Sequence, residues 1–152
     1  CDLHHPDFYN TFKEKCDTYF YNKHREEARG VGRLFFDYLK ANETFTIKDR
    51  YDFTTTIGNS FIEAYIPILN KRKNLDFTPE NRTWQEIRRG RYVEFNLVHD
   101  KGTLFGLKTN GRMESILMSL PPTVQWRYDY HPKQGSKEEE LLNILKNPKN
   151  WI

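Results

Sequence analysis

Apolar positions recur along this chain at two spacings, one helical and one alternating. Phe8, Phe12, Cys16, Tyr19 and Phe20 share one face at helical spacing and predict an amphipathic helix over 7–22, with Pro6 at its opening. Gly30, Val31 and Gly32 break that pattern. Leu34, Phe36 and Tyr38 then alternate with Arg33, Phe35 and Asp37, which predicts a strand. Residues 40–47 read as a loop. Phe53, Ile57, Phe61, Ala64 and Ile68 predict a long helix over 48–71, which Pro67 should kink or interrupt. Thr78, Pro79 and Glu80 form a helix start, and that helix carries Trp84 and Ile87 and should end at Gly90.

Beyond Gly90 the alternating spacing returns. Val93, Phe95 and Leu97 alternate with Glu94 and Asn96; Asp100-Lys101-Gly102 reads as a turn, and Leu104 to Lys108 as a returning strand. The pair predicts a β-hairpin. Asn110-Gly111 marks another turn. Residues 113–120 suit either a helix turn or a strand, and Val124 to Tyr130 predicts a further strand. Ser136 with Glu139 reads as a capping box opening a last helix, with Leu141, Leu142 and Leu145 inward. Helices and strands mix without βαβ alternation or repeats. The expected class is α+β, with a mainly antiparallel sheet.

Composition adds limits. A chain of 152 residues suffices for one ordinary domain. Its aromatic share of 15% must be packed somewhere, and nothing reads as disordered. The net charge of +3 does not suggest nucleic-acid binding. That charge is uneven, however. Residues 71–91 hold seven Lys or Arg against three acids, an excess that fits a small polyanion better than a duplex. Two cysteines, Cys1 and Cys16, make neither a disulfide framework nor a zinc site, and point to a reducing compartment, the cytoplasm. No stretch approaches the roughly 20 apolar residues of a membrane span. The chain opens on Cys1 without an initiator Met, so we expect it to be a piece of a longer protein.

Four groups of residues could carry chemistry. Arg88, Arg89 and Arg91 could grip carboxylates bidentately, though a solvated helix end is the commoner role of such a cluster. Asn110-Gly111-Arg112 joins a close backbone approach to a positive charge, and is by pattern an ordinary turn. His24 with Glu27 makes an i, i+3 pair at a helix end, short of a metal site by itself. Asp37 at a strand end could bind an NH-bearing ligand or cap a loop. Gly30-Val31-Gly32 lacks the third glycine of a dinucleotide fingerprint. Spacing alone thus reaches a soluble α+β domain with a basic patch.

Several stretches together resemble the oxygen-dependent coproporphyrinogen oxidases. They are His24-Arg25 leading to Arg29-Gly30-Val31-Gly32, Leu34 to Asp37, Tyr65 to Ile68, Arg88 to Leu97, Asp100 to Leu107, Glu114 to Pro121, Trp126 and Trp151. The run from 88 to 121 is the most specific. Arg33, Tyr38 and Lys101 depart from the family's usual residues without abolishing the likeness; Lys101 stands where Arg is common, so it cannot grip a carboxylate bidentately.

The resemblance implies a large, mainly antiparallel sheet flanked by helices. It makes 1–152 the C-terminal part of a single oxidase domain. It implies oxidative decarboxylation of two propionates of coproporphyrinogen III by O2, giving protoporphyrinogen IX on the way to haem. It implies no organic cofactor, O2 as co-substrate, and allows a divalent metal with His24 as the matching histidine. The substrate contact falls on Asn110, Gly111 and Arg112. A homodimer is implied, with its contact segment running from Tyr92, Val93, Glu94 and Phe95 to about Arg127. The proposed catalytic histidine would lie upstream of Cys1, so this fragment alone should be inactive. The alternative is a non-catalytic module that binds tetrapyrroles or carboxylates, or that only dimerises.

Overall fold

A computed structural model describes residues 1–32 and 34–151. The chain divides into two compact units, residues 1–19 with 32–76, and residues 20–31 with 77–152.

The first unit is built on two helices, α1 (Asp7–Tyr19) and α2 (Ile47–Arg72). Phe8 and Phe12 of α1 meet Phe53 of α2, with ring centroids 4.9 and 5.4 Å from it. Leu34, Phe36, Leu39, Phe45 and Ile57 pack around this trio. Helix α2 is opened by a capping box: the Thr46 hydroxyl accepts from the Asp49 N–H, and the Asp49 carboxylate accepts from the Thr46 N–H. Pro67 does not interrupt it. A proline removes one ladder bond, and every residue from 58 to 72 is exposed, so water satisfies the freed carbonyl.

The strand expected at 34–38 is absent. The stretch is irregular, with the Phe35 N–H donated to the Phe12 carbonyl at 3.0 Å and Tyr38 at φ +49°. Alternation put Leu34 and Phe36 inward, but a strand also needs a ladder partner. Arg33, read as part of that strand, lies outside the described residues.

The second unit holds β1 (Tyr21–Asn22), β2 (Glu27–Ala28), α3 (Pro79–Val98), α4 (Lys101–Lys108), α5 (Met113–Leu117) and α6 (Lys137–Lys146). The strands pair antiparallel, Tyr21 with Ala28 and Asn22 with Glu27, and form the sheet of the described residues. The unit is therefore mostly helical, and the large sheet is not seen. Its buried apolar residues are Ala28, Ile87, Val93, Phe95 and Leu145. Thr78 caps α3 as expected, with Pro79 in the first turn.

The hairpin expected over Val93 to Lys108 is instead a helix pair. Helix α3 runs through Gly90 to Val98, and Asp100 caps α4 by accepting from the Thr103 N–H at 2.8 Å. Ile87, Gly90, Arg91 and Phe95 form its buried face at helical spacing, whereas the short run Val93 to Leu97 by itself suits a strand as well. Gly90 does not stop the helix; it makes room. A β-carbon there would lie 2.8 Å from the Gln125 carbonyl oxygen. The strand expected over Val124 to Tyr130 is likewise irregular, tied to α3 by the Gln125 N–H donating to the Glu86 carbonyl at 3.1 Å. Residues 113–117 resolve as helix. Ser136 caps α6 by accepting from Glu139, but the Glu139 carboxylate accepts from the Gly135 N–H, so the box is only half formed.

Candidate functional site

The β1–β2 hairpin lies against α3, and charged groups fill the contact. Glu94 is the centre. Its carboxylate accepts from Arg25 Nε and Nη2 at 3.0 and 2.8 Å, from Arg91 Nη1 at 2.9 Å, and meets His24 Nε2 at 2.9 Å. Burial alone would raise this carboxyl; the bonds from Arg25 and His24, with the charges of Arg91 and Arg25, outweigh it and bring the pKa down to about 2. Burial in turn lowers the Arg91 pKa against the pull of Glu94. Glu27, buried on β2, accepts from Arg88 Nη1 at 2.7 Å and faces Arg91 Nε at 3.8 Å. Asn22, wholly buried, donates to the Arg91 carbonyl at 3.3 Å.

Arg88 and Arg91 are thus not a solvated helix end, and only Arg88 Nη2 is left without a partner. They are partners of Glu27 and Glu94. Removing one member of such a buried set leaves an uncompensated charge, which is the costly event. Sequence reasoning missed Arg25 and Glu27 in these roles, because their partners lie 69 and 61 residues away.

His24 sits at the hairpin turn, not on a helix end, and its partner is Glu94 rather than Glu27. Its Nδ1 lies 3.2 Å from His99 Nε2, so one of those nitrogens must carry a proton. Both ring nitrogens of His24 are therefore engaged. Among the described residues, no group of three or more His, Cys, Asp or Glu could hold a metal ion. The donors of this chain do not fit a complete metal centre, and His24 would offer it one nitrogen at the cost of a present contact.

Asn110, Gly111 and Arg112 form the exposed link between α4 and α5. Asn110 takes φ +55°, the left-handed conformation that ends helices, and the Gly111 N–H closes on the Gly106 carbonyl at 3.0 Å. A β-carbon on Gly111 would lie 2.9 Å from that carbonyl oxygen. The Arg112 side chain is 83% exposed, with Glu114 Oε2 3.9 Å from its Nε. Such a contact is worth little in water. The guanidinium is available to an arriving carboxylate.

The segment from Tyr92 to Arg127 is divided. Val93 and Phe95 are buried within the unit, and Glu94 is held as described. Tyr92 lies under the Arg29 guanidinium, 4.9 Å from ring centroid to charge; Phe20 and Phe95 flank the same group at 4.3 and 4.8 Å. Arg127 is exposed and donates to Gln125 Oε1 at 3.2 Å. Leu97, Val98, Phe105, Met113, Leu117, Met118 and Trp126 are also exposed. Asp37 is exposed as well.

A family model described as Coproporphyrinogen III oxidase matches residues 1–151. The chain is 53% identical over 152 residues to a protein of Arabidopsis thaliana named coproporphyrinogen-III oxidase 1, chloroplastic, of which it covers 39%. It is 54% identical to an oxygen-dependent coproporphyrinogen-III oxidase, chloroplastic, of Glycine max, covering 39% of that protein. It is 49% identical to an oxygen-dependent coproporphyrinogen-III oxidase of Francisella philomiragia, covering 48%. In each case the whole of this chain is matched, and it spans two fifths to one half of the relative's length.

Proposed function

Because this chain belongs to the coproporphyrinogen III oxidase family, we propose that it is part of an oxygen-dependent oxidase acting on coproporphyrinogen III. The observation that carries this reading is the match of the entire chain, at about half identity, to proteins with that name. The reaction turns two propionates into vinyl groups. Each loses carbon dioxide and two electrons with a proton; the four electrons pass to O2, which is reduced to water. The product, protoporphyrinogen IX, leads to haem.

This chain's part is to receive the carboxylated rim of the macrocycle. Arg112 stands exposed in the α4–α5 link, so a propionate can reach its guanidinium. The groups that move protons lie in the part of the relatives' length that this chain does not span. The large antiparallel sheet belongs to that fuller domain, with β1–β2 as a local contribution. The enzyme is a homodimer whose contact segment runs from Tyr92 to about Arg127, and the exposed apolar residues of that segment support this reading. We place it in the cytoplasm, since two cysteines make no disulfide framework and suit a reducing compartment.

Arg112→Ala tests the rim assignment in a full-length polypeptide carrying this chain. Loss of a charged hydrogen bond should cost about 1.5–3 kcal/mol in kcat/KM, mainly as a raised KM. Unchanged kinetics, followed by porphyrin fluorescence after oxidation of the product, would remove Arg112 from the site.

A further inference from the structure

Unit two contains a cavity of about 180 Å³ that the oxidase reading does not use. None of Asn110, Gly111 or Arg112 lines it. Two acids face it, and both are engaged: Glu27 by Arg88 at 2.7 Å, Asp129 with His131 at 3.0 Å. Arg25 and Arg91, also on its wall, are committed to Glu94.

Three cationic groups remain. Arg88 Nη2 is buried with no hydrogen-bond partner. Arg127 and Lys146 line the same cavity, and among the described residues neither forms an ion pair. A buried donor without an acceptor is costly to keep, so Arg88 Nη2 is suited to receive an anion.

The remaining wall decides what kind of anion. Trp84, Ile87 and Leu142 present apolar surface, and the Trp84 ring lies 6.1 Å from that of Tyr130. A free phosphate gains nothing from such a wall, whereas an alkyl chain does. The volume is below the roughly 300–1,000 Å³ of ordinary small-molecule pockets, so a whole macrocycle does not enter.

We propose that this cavity binds a short-chain carboxylate, its head on Arg88 Nη2 between Arg127 and Lys146 and its tail against Trp84 and Leu142. The inference rests on the cavity alone and stands whether or not the chain serves an oxidase. The head could belong to a free acid or to one arm of a larger polycarboxylate.

The test is a titration of a full-length polypeptide carrying this chain with valerate, followed by nitrogen-15 NMR. The Trp84 indole N–H and the Arg88 side-chain signals should shift and saturate. Lys146→Gln and Arg127→Gln should each weaken binding about fivefold, the effect of losing one exposed charge contact. Both residues are exposed, so the amide spectrum should otherwise be unchanged. Displacement of valerate by coproporphyrin III assigns the head to an arm; retention of valerate assigns it to a free acid. No saturable shift at Trp84 overturns the proposal. So does an equal response to inorganic phosphate, or undiminished valerate binding in the double variant.

Discussion

A β-carbon on Gly90 would sit 2.8 Å from the Gln125 carbonyl oxygen and 3.3 Å from the Trp126 indole nitrogen. The first neighbour is backbone and cannot swing aside. Gly90→Ala should therefore push residues 125 and 126 off α3, at a cost of about 1–3 kcal/mol, read as a lower urea midpoint. An unchanged midpoint would mean the segment is not seated there. Glu94 makes a different demand. Its folded pKa of about 2 lies below the ordinary 4.5. A depressed carboxyl contributes stability that is complete above its unfolded pKa and is lost as the pH falls through the folded one. Stability should decline between about pH 4.5 and 2, and the decline should be shallower in Glu94→Gln, which cannot titrate. Equal slopes in the two proteins would dismiss Glu94 as the acid-sensitive group.

At the scale of the element, the ends of α3 and α4 carry the lesson. The run Val93 to Leu97 fits both a strand and a helix by apolar spacing. Asp100 decides for the helix pair, because its carboxylate accepts from the Thr103 N–H at 2.8 Å and hydroxyl at 2.9 Å. Asp100→Ala should cost about 1 kcal/mol, with Asp100→Asn recovering most of it. Chemical denaturation measures both, and an Ala variant as stable as the parent would show that α4 does not depend on its cap. The same residues had read as a hairpin turn. An Asp before a Gly serves a turn and a helix start equally, and only the next eight residues distinguish them. By contrast α2 was legible, since 26 residues with a helical apolar period exceed any strand.

The whole molecule exposes 11539 Å². A folded monomer of 18.3 kDa exposes about 8,100 Å². The excess is apolar in part: Phe61, Ile62, Tyr65, Ile66, Ile68 and Leu69 of α2 are all exposed. Ile66→Ser in this chain should therefore change stability by less than about 0.5 kcal/mol. A full-length polypeptide that covers the same face should lose about 2–5 kcal/mol from it, as for any emptied core position. Parallel denaturation of the two decides; equal small losses would show that this face stays in water.

The same scale separates local from distant information. Helices α1, α2 and α6 and the start of α3 follow from residues three or four apart, and the 88–121 run identifies the family by order alone. Those signals are short-range, so the chain carries them without folding. The partners of Glu27 and Glu94, the purpose of Gly90 and the unpaired Nη2 of Arg88 are not written that way. They depend on side chains 61 to 70 residues distant meeting in space. A charge has no sequence-level sign of which opposite charge it will find, and a glycine none of what will press against it; packing assigned both.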